Sequence, residues 1–165
     1  MGLQNYLQHV ETSLIRSARQ GDLAAFNRLA MDHQDSAYNL AYYIFGDEKT
    51  AETATTQGIV SAYQRIKSYP GSSFRSWVLR CVLAACQELS RAARTGPVSR
   101  SLAYPGGADF LASLPLEERV LVILVDIEGL SYTETAWIVG KGLDQVRSGL
   151  ACARMHIGES AALVG

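Results

Sequence analysis

The stretch GLSYTETAWIVGKGLDQVRSGL, residues 129–150, decides the fold class. Ser131 is followed three positions later by Glu134, the Ser-x-x-Glu form of a capping box, in which each side chain satisfies the other residue's backbone N–H and starts a helix. That short helix ends at Gly140, and Gly140-Lys-Gly-Leu-Asp144 reads as a tight turn where small residues let two helices cross closely. Val146, Leu150 and Ala153 then recur at helical spacing, so a further helix runs to about Ile157 with those three inward. A capped helix, a glycine turn and a second helix form a helix-turn-helix, whose second helix enters the DNA major groove N-terminus first. The polar residues it would offer to base edges are Gln145, Arg147, Ser148 and, further along, Arg154. Glutamine pairs with adenine and arginine with guanine in bidentate fashion. A plain three-helix corner carries the same pattern without any DNA.

Outward from this unit, Leu114-Pro115 opens a helix over Leu116 to Asp126. Before it, Thr95 to Gly107 contains Gly96-Pro97 and Pro105-Gly106-Gly107, the natural linker. Upstream the pattern is helical again. Leu14, Ile15 and Ala18, then Phe26, Leu29 and Ala30, mark an apolar face between about Glu11 and Phe45, broken at Gly21-Asp22. After Gly46-Asp47 a helix is expected from Lys49 to Tyr69, and after Pro70-Gly71-Ser72-Ser73 another from Phe74 to about Arg94. The expected fold is all-α: two small helical domains, residues 1–94 and 113–165, joined by a linker over 95–112. With 165 residues, 48% of them hydrophobic and 19% charged, the chain has apolar material for a core and too little charge for disorder.

The net charge is only −1, which excludes a uniformly basic nucleic-acid coat protein or a polybasic membrane anchor. The charge is unevenly distributed. Residues 1–64 carry −3 and residues 101–144 carry −5, whereas residues 65–100 hold seven basic side chains against Glu88 alone, +6. That segment includes Tyr69-Pro-Gly-Ser-Ser-Phe-Arg-Ser-Trp77 and Arg80, in which aromatic rings interleave with arginines as on surfaces that hold single-stranded nucleic acid. Phe74 and Trp77, three apart on a helix, equally suit a core.

Taken together these motifs resemble one family. Glu52, the run Ser73-Phe-Arg-Ser-Trp77 with Arg80, then Leu114-Pro115, Glu118-Arg119, Asp126-Ile-Glu-Gly-Leu-Ser-Tyr132, Val146-Arg-Ser148 and Ala153-Arg154 are similar, in order, to the extracytoplasmic-function (ECF) sigma factors of bacterial RNA polymerase. The resemblance covers about residues 11–157. It implies two helical domains that bind core RNA polymerase and promoter DNA, the first capturing the melted minus-ten element and the second reading the minus-thirty-five element as duplex. It would place Arg75, Trp77, Arg80, Arg91 and Arg94 on the melted strand, and Gln145, Arg147, Ser148 and Arg154 on the duplex. Glu52, with Gln57 and Ser61, would face the polymerase, and an anti-sigma factor is the implied inhibitor.

The chain departs from the family pattern at several contacts. Thr53-Ala-Thr-Thr-Gln57-Gly58 follows Glu52 where the family is acidic, and Gly58 costs about 1 kcal/mol of helix propensity relative to alanine. Leu83-Ala84 replaces an Arg-Asn pair, and Gly149, Ala151 and Cys152 thin the basic recognition helix. These losses motivate a second reading, a sigma-factor mimic that binds an anti-sigma factor without binding promoter DNA. A stand-alone helix-turn-helix regulator would leave the Phe-Arg-Ser-Trp unit unexplained.

Other classes find little footing. Cys81, Cys86 and Cys152 lack CxxC spacing and read as small hydrophobes of a reducing cytosol, and His9, His33 and His156 are scattered. No nucleophile–base pair, metal cluster or phosphate-cradling loop is present in the sequence, so neither an enzyme nor a cofactor is expected. The longest apolar run, Val120 to Val125, falls far short of the roughly 18–20 residues of a membrane span. Without a basic-then-apolar N-terminus a signal peptide is not expected either, and the expected compartment is the cytoplasm.

Overall fold

The computed structural model describes residues 2–93 and 110–164, with side chains through residue 159. The described residues are helical, with no strand among them. Helix α1 (Gly2–Arg19) turns at Gly21, in the left-handed region at φ 98°, into α2 (Leu23–Met31), whose first turn is capped by the Asp22 carboxylate accepting from the Ala25 N–H at 3.1 Å. Helix α3 (Gln34–Phe45) closes on Gly46 at φ 64°, and Asp47 caps α4 (Glu48–Gln64) through the Thr50 N–H at 2.8 Å. A 3-10 turn (Ile66–Ser68) and a loop lead into α5 (Phe74–Ala93). The helical stretch expected over 11–45 breaks at Gly21-Asp22 as read and again at Asp32-His33, and α1 begins well before Glu11.

The core of this N-terminal bundle lies between α3, α4 and α5. Phe26 packs edge-on against Phe74 at 6.1 Å between ring centres, and Tyr69 contacts both Phe74 and Trp77, likewise edge-on, at 5.8 and 5.9 Å. Helices α4 and α5 approach most closely at Gly58. An ideal Cβ built there would fall 2.5 Å from the Cα of Val82. Gly58 therefore does more than weaken its own helix: the missing side chain is the space that the α5 backbone occupies.

The loop ahead of α5 is fastened from outside. Arg19, at the end of α1, donates to the carbonyls of Ile66 and Tyr69 and lies over the Tyr69 ring, 5.6 Å from its centre. The Tyr69 hydroxyl in turn donates to the carbonyl of Ser72.

The C-terminal unit begins with a short turn of helix, α6 (Phe110–Ser113), in which Leu111 is fully buried. Residues 110–112, expected in the linker, are therefore packed structure; of that linker, residues 95–109 lie outside the described residues. Helix α7 (Leu116–Val122) widens into a π-helical stretch (Ile123–Ile127), where Glu128 N–H reaches the Ile123 carbonyl at 2.8 Å. Helix α8 (Tyr132–Val139) starts on the capping box read from the sequence: Glu134 N–H donates to Ser131 Oγ and Ser131 N–H to Glu134 Oε2, each at 3.1 Å. Gly140 at φ 67° ends it, and α9 (Leu143–Val164) follows with Val146, Leu150 and Ala153 buried. Gly149 brings α9 against α7, where a Cβ would meet the Leu121 Cδ1 methyl at 2.6 Å.

The two glycines make a paired test of this packing. Gly58→Ala is expected to destabilise the chain by about 1–3 kcal/mol, because backbone must move to admit the methyl. Gly149→Ala is expected to stay within about 1 kcal/mol of the native chain, since a leucine end can rotate away while alanine gains helix propensity. Urea midpoints of the two variants check both.

Candidate nucleic-acid interface

The turn and first helical residues of α9 form the exposed end of the helix-turn-helix. Gln145 bends back so that its Oε1 accepts from the Gly142 N–H at 2.9 Å, fixing the turn. Ser148 Oγ donates to the Gln145 carbonyl at 3.2 Å. Arg147 lies on the same surface with 59% of its side chain exposed, and its Asp144 neighbour is 3.8 Å away, a distance of weak attraction in water. Gln145, Arg147 and Ser148 are thus brought together and open to solvent.

Arg154 is not with them. Its guanidinium grips Asp126 at 2.6 and 3.3 Å, tying α9 to the end of the π-helical stretch. The hydrogen bond to Asp126, helped by one to Tyr132, holds that guanidinium above the usual arginine range. The side chain thus braces α9 against the preceding helical stretch, with 48% of it still exposed.

On α5 the arginines and aromatics separate. Trp77 is only 5% exposed; its Nε1–H donates to the Ala62 carbonyl at 3.3 Å, and the Arg65 guanidinium covers its ring. Trp77 is a core anchor with no free face for a base, a correction to its place among the strand contacts. Arg75 donates to Glu128 Oε2 at 2.6 Å, to the Glu128 carbonyl at 3.0 Å and to Ser36 Oγ at 3.2 Å. The Glu128 side chain is 6% exposed, so this is a largely buried pair spanning the two halves of the molecule. Arg80 donates to the Trp137 carbonyl at 2.7 Å with its guanidinium 4.7 Å above the Trp137 ring. Two of the four arginines expected on the melted strand, Arg75 and Arg80, are therefore engaged by the C-terminal unit. Arg91 is exposed and pairs with Glu88 one turn away at 2.9 Å; Arg94 lies outside the described residues.

Two exposed cations were missed by the site reading. Arg65 and Lys67 flank and occupy the 3-10 turn ahead of α5, solvent-facing beside the loop that Arg19 fastens. Their signal was available, since both belong to the +6 segment. On α4, Glu52 and Gln57 are exposed and Ser61 is half-buried, on an outward face that also carries Thr53, Thr56 and Val60. Of the thiols, Cys81 and Cys86 are buried and Cys152 is exposed; burial pushes the Cys86 thiol up to about 12. Among the described residues no group of three or more His, Cys, Asp or Glu side chains stands where it could hold a metal ion.

Comparison with known proteins agrees with this architecture. The Sigma-70 region 2 family matches residues 29–95. The ECF RNA polymerase sigma factor SigE of Mycolicibacterium smegmatis is 28% identical over 159 residues, taking in 84% of this chain and 62% of SigE. The chain thus spans less than two thirds of that relative's length. SigM of Mycobacterium tuberculosis, also an ECF RNA polymerase sigma factor, is 27% identical over 161 residues, 89% of this chain and 82% of SigM. The same fold occurs in CnrH, solved in complex with the cytosolic domain of CnrY, at a TM-score of 0.78 and 24% identity over 94% of this chain and 99% of that one. It occurs again in RpoE of Bartonella quintana, solved with the anti-sigma factor NepR, at 0.70 and 18% identity over 81% and 94%. The helix-turn-helix, the α4–α5 bundle that precedes it and these relatives agree: residues 29–95 match the Sigma-70 region 2 family, and the chain is similar over most of its length to ECF sigma factors.

Proposed function

We propose that the chain binds core RNA polymerase in the cytoplasm and directs promoter-specific transcription initiation. The observation that carries this reading is the exposed start of α9, where a braced turn presents Gln145, Arg147 and Ser148 with no other described element covering them. In this reading residues 113–165 read the upstream promoter element as duplex, and residues 1–94 meet polymerase and the melted downstream element. Glu52 and Gln57, with Ser61 at the margin, form the polymerase-facing patch of α4. Arg75, Arg80, Arg91 and Arg94 serve the melted strand, joined by Arg65 and Lys67. No described helix is long and apolar enough to cross a membrane. An anti-sigma protein is the proposed inhibitor, by analogy with the partner of RpoE.

The single basic side chain at the tip of α9 makes unaided duplex binding weak, because each phosphate neutralised contributes about one unit of salt slope. Tethering to polymerase raises the effective concentration and compensates.

The test mixes the purified chain with core polymerase and reads transcription from promoter fragments selected out of genomic DNA. Specific transcripts are expected. Failure to join core polymerase, together with tight binding of an anti-sigma protein, would sink this reading in favour of the mimic. Within an active holoenzyme, Arg147→Ala is expected to lose about 1–3 kcal/mol of upstream-element discrimination. Arg154→Ala is expected to lower the melting temperature with promoter choice unchanged, since Asp126 is its partner.

A further inference from the structure

We propose that Gln145 reads its base in the upstream element through hydrogen-bond donors alone, and so selects guanine rather than adenine, because its side-chain oxygen is committed to the turn ahead of α9. The proposal rests on the promoter reading above and names the base edge that one residue of that site takes.

Helix α9 begins at Leu143, and the Val146 N–H donates to the Gly142 carbonyl at 3.1 Å, which puts Gly142 at the N-cap. A glycine has no side chain with which to satisfy the open N–H groups of a first turn. Gln145, three residues on, supplies the returning half of a capping box: its Oε1 accepts from the Gly142 N–H at 2.9 Å. Among the described residues that N–H has no other acceptor.

The contact also fixes which end of the amide faces where. Its partner is a backbone donor, so the oxygen lies on the turn and the nitrogen is directed away from it. Gln145 is exposed, as are Asp144, Arg147 and Ser148 around it. The side chain therefore turns outward the two N–H groups of Nε2, a donor without an acceptor beside it.

That orientation decides what can be read. A glutamine–adenine pair uses both ends of the amide at once, Nε2 donating to N7 and Oε1 accepting from the N6 amine. Swinging the oxygen into the groove for adenine would strip the Gly142 N–H of its acceptor as DNA closes over the helix end. Guanine asks only for donors, since N7 and O6 lie side by side on its edge. Thymine offers the single acceptor O4 beside a methyl group, and cytosine presents an amine, donor against donor. Guanine alone matches the Nε2 group twice with the turn intact.

The experiment selects duplexes from a pool in which the upstream promoter element is randomised. It is run with the full chain joined to core polymerase and with the full chain alone at low salt, where phosphate contacts are strongest. The native chain is expected to enrich guanine about tenfold over adenine at one position, within the range of a good side-chain–base pair. Gln145→Glu keeps an oxygen for the Gly142 N–H and gives the groove an acceptor, so the same position is expected to change to cytosine, whose N4 donates. Gln145→Ala is expected to lose the preference there and leave the other positions as they are. Hydrogen exchange of the Gly142 amide, followed by NMR without DNA, is expected to be slowed in the native chain and in Gln145→Glu and fast in Gln145→Ala. Should Gln145→Ala fray the turn, the native chain and Gln145→Glu carry the comparison. Any base other than guanine at the position that answers to Gln145, a profile that Gln145→Glu leaves unmoved, or a Gly142 amide that exchanges fast in the native chain overturns the proposal. The promoter reading fails separately, as absent transcription with core polymerase while the free chain still selects its duplexes. A chain that selects no sequence in either form overturns both.

Discussion

The close crossing of α4 over α5 at Gly58 is the constraint on which the rest of the molecule depends. With the α5 backbone lying where a side chain of α4 would be, α5 is set deep enough for Phe74, Trp77, Val78 and Val82 to enter the core together. Helical periodicity then leaves Arg75 and Arg80 on the two flanks of that apolar face, from which both reach the C-terminal unit. One helix therefore serves as the spine of the bundle and as the docking edge for the second half. A change that lifts α5 away from α4 would disturb both.

The contact between the halves combines apolar packing with polar links, and its polar part is asymmetric. Arginine supplies the donors at all three of the cross-contacts made by Arg75, Arg80 and Arg119, while the acceptors are mostly main-chain oxygens. Main-chain acceptors persist through most side-chain substitutions, so the geometry tolerates sequence drift on the accepting side as long as the helix ends stay in register. The buried Glu128 carboxylate is the exception: removing it strips the formal negative charge paired with Arg75.

Local chemistry was readable in the sequence, and distant pairing was not. The Ser131–Glu134 box, the stop at Gly140 and the inward Val146, Leu150 and Ala153 all follow from short-range rules, and each is where the spacing put it. The break at Asp32-His33 has neither glycine nor proline to announce it; there His33 is half-buried beside the Phe74 ring, 5.9 Å away, so the turn answers to packing. Gly58 reads as a weak helix residue until Val82 is placed beside it. Trp77 has two local readings, core and strand contact; its burial and its bond to the Ala62 carbonyl follow the first. Arg75, Arg80 and Arg154 find partners 53, 57 and 28 residues away, and no window of sequence pattern reaches that far.

The clasp of Arg19 on the loop before α5 has a consequence for any ligand that meets this loop. Two carbonyls and a ring are held by a side chain from another helix, and the Tyr69 hydroxyl closes the loop on itself through Ser72. The ordering entropy of residues 66–72 is thus spent during folding rather than at the moment of association. Arg65 and Lys67 project from a preorganised platform, so affinity gained through them is not diluted by freezing the chain beneath. The helix farthest in sequence from α9 sets how stiff that platform is.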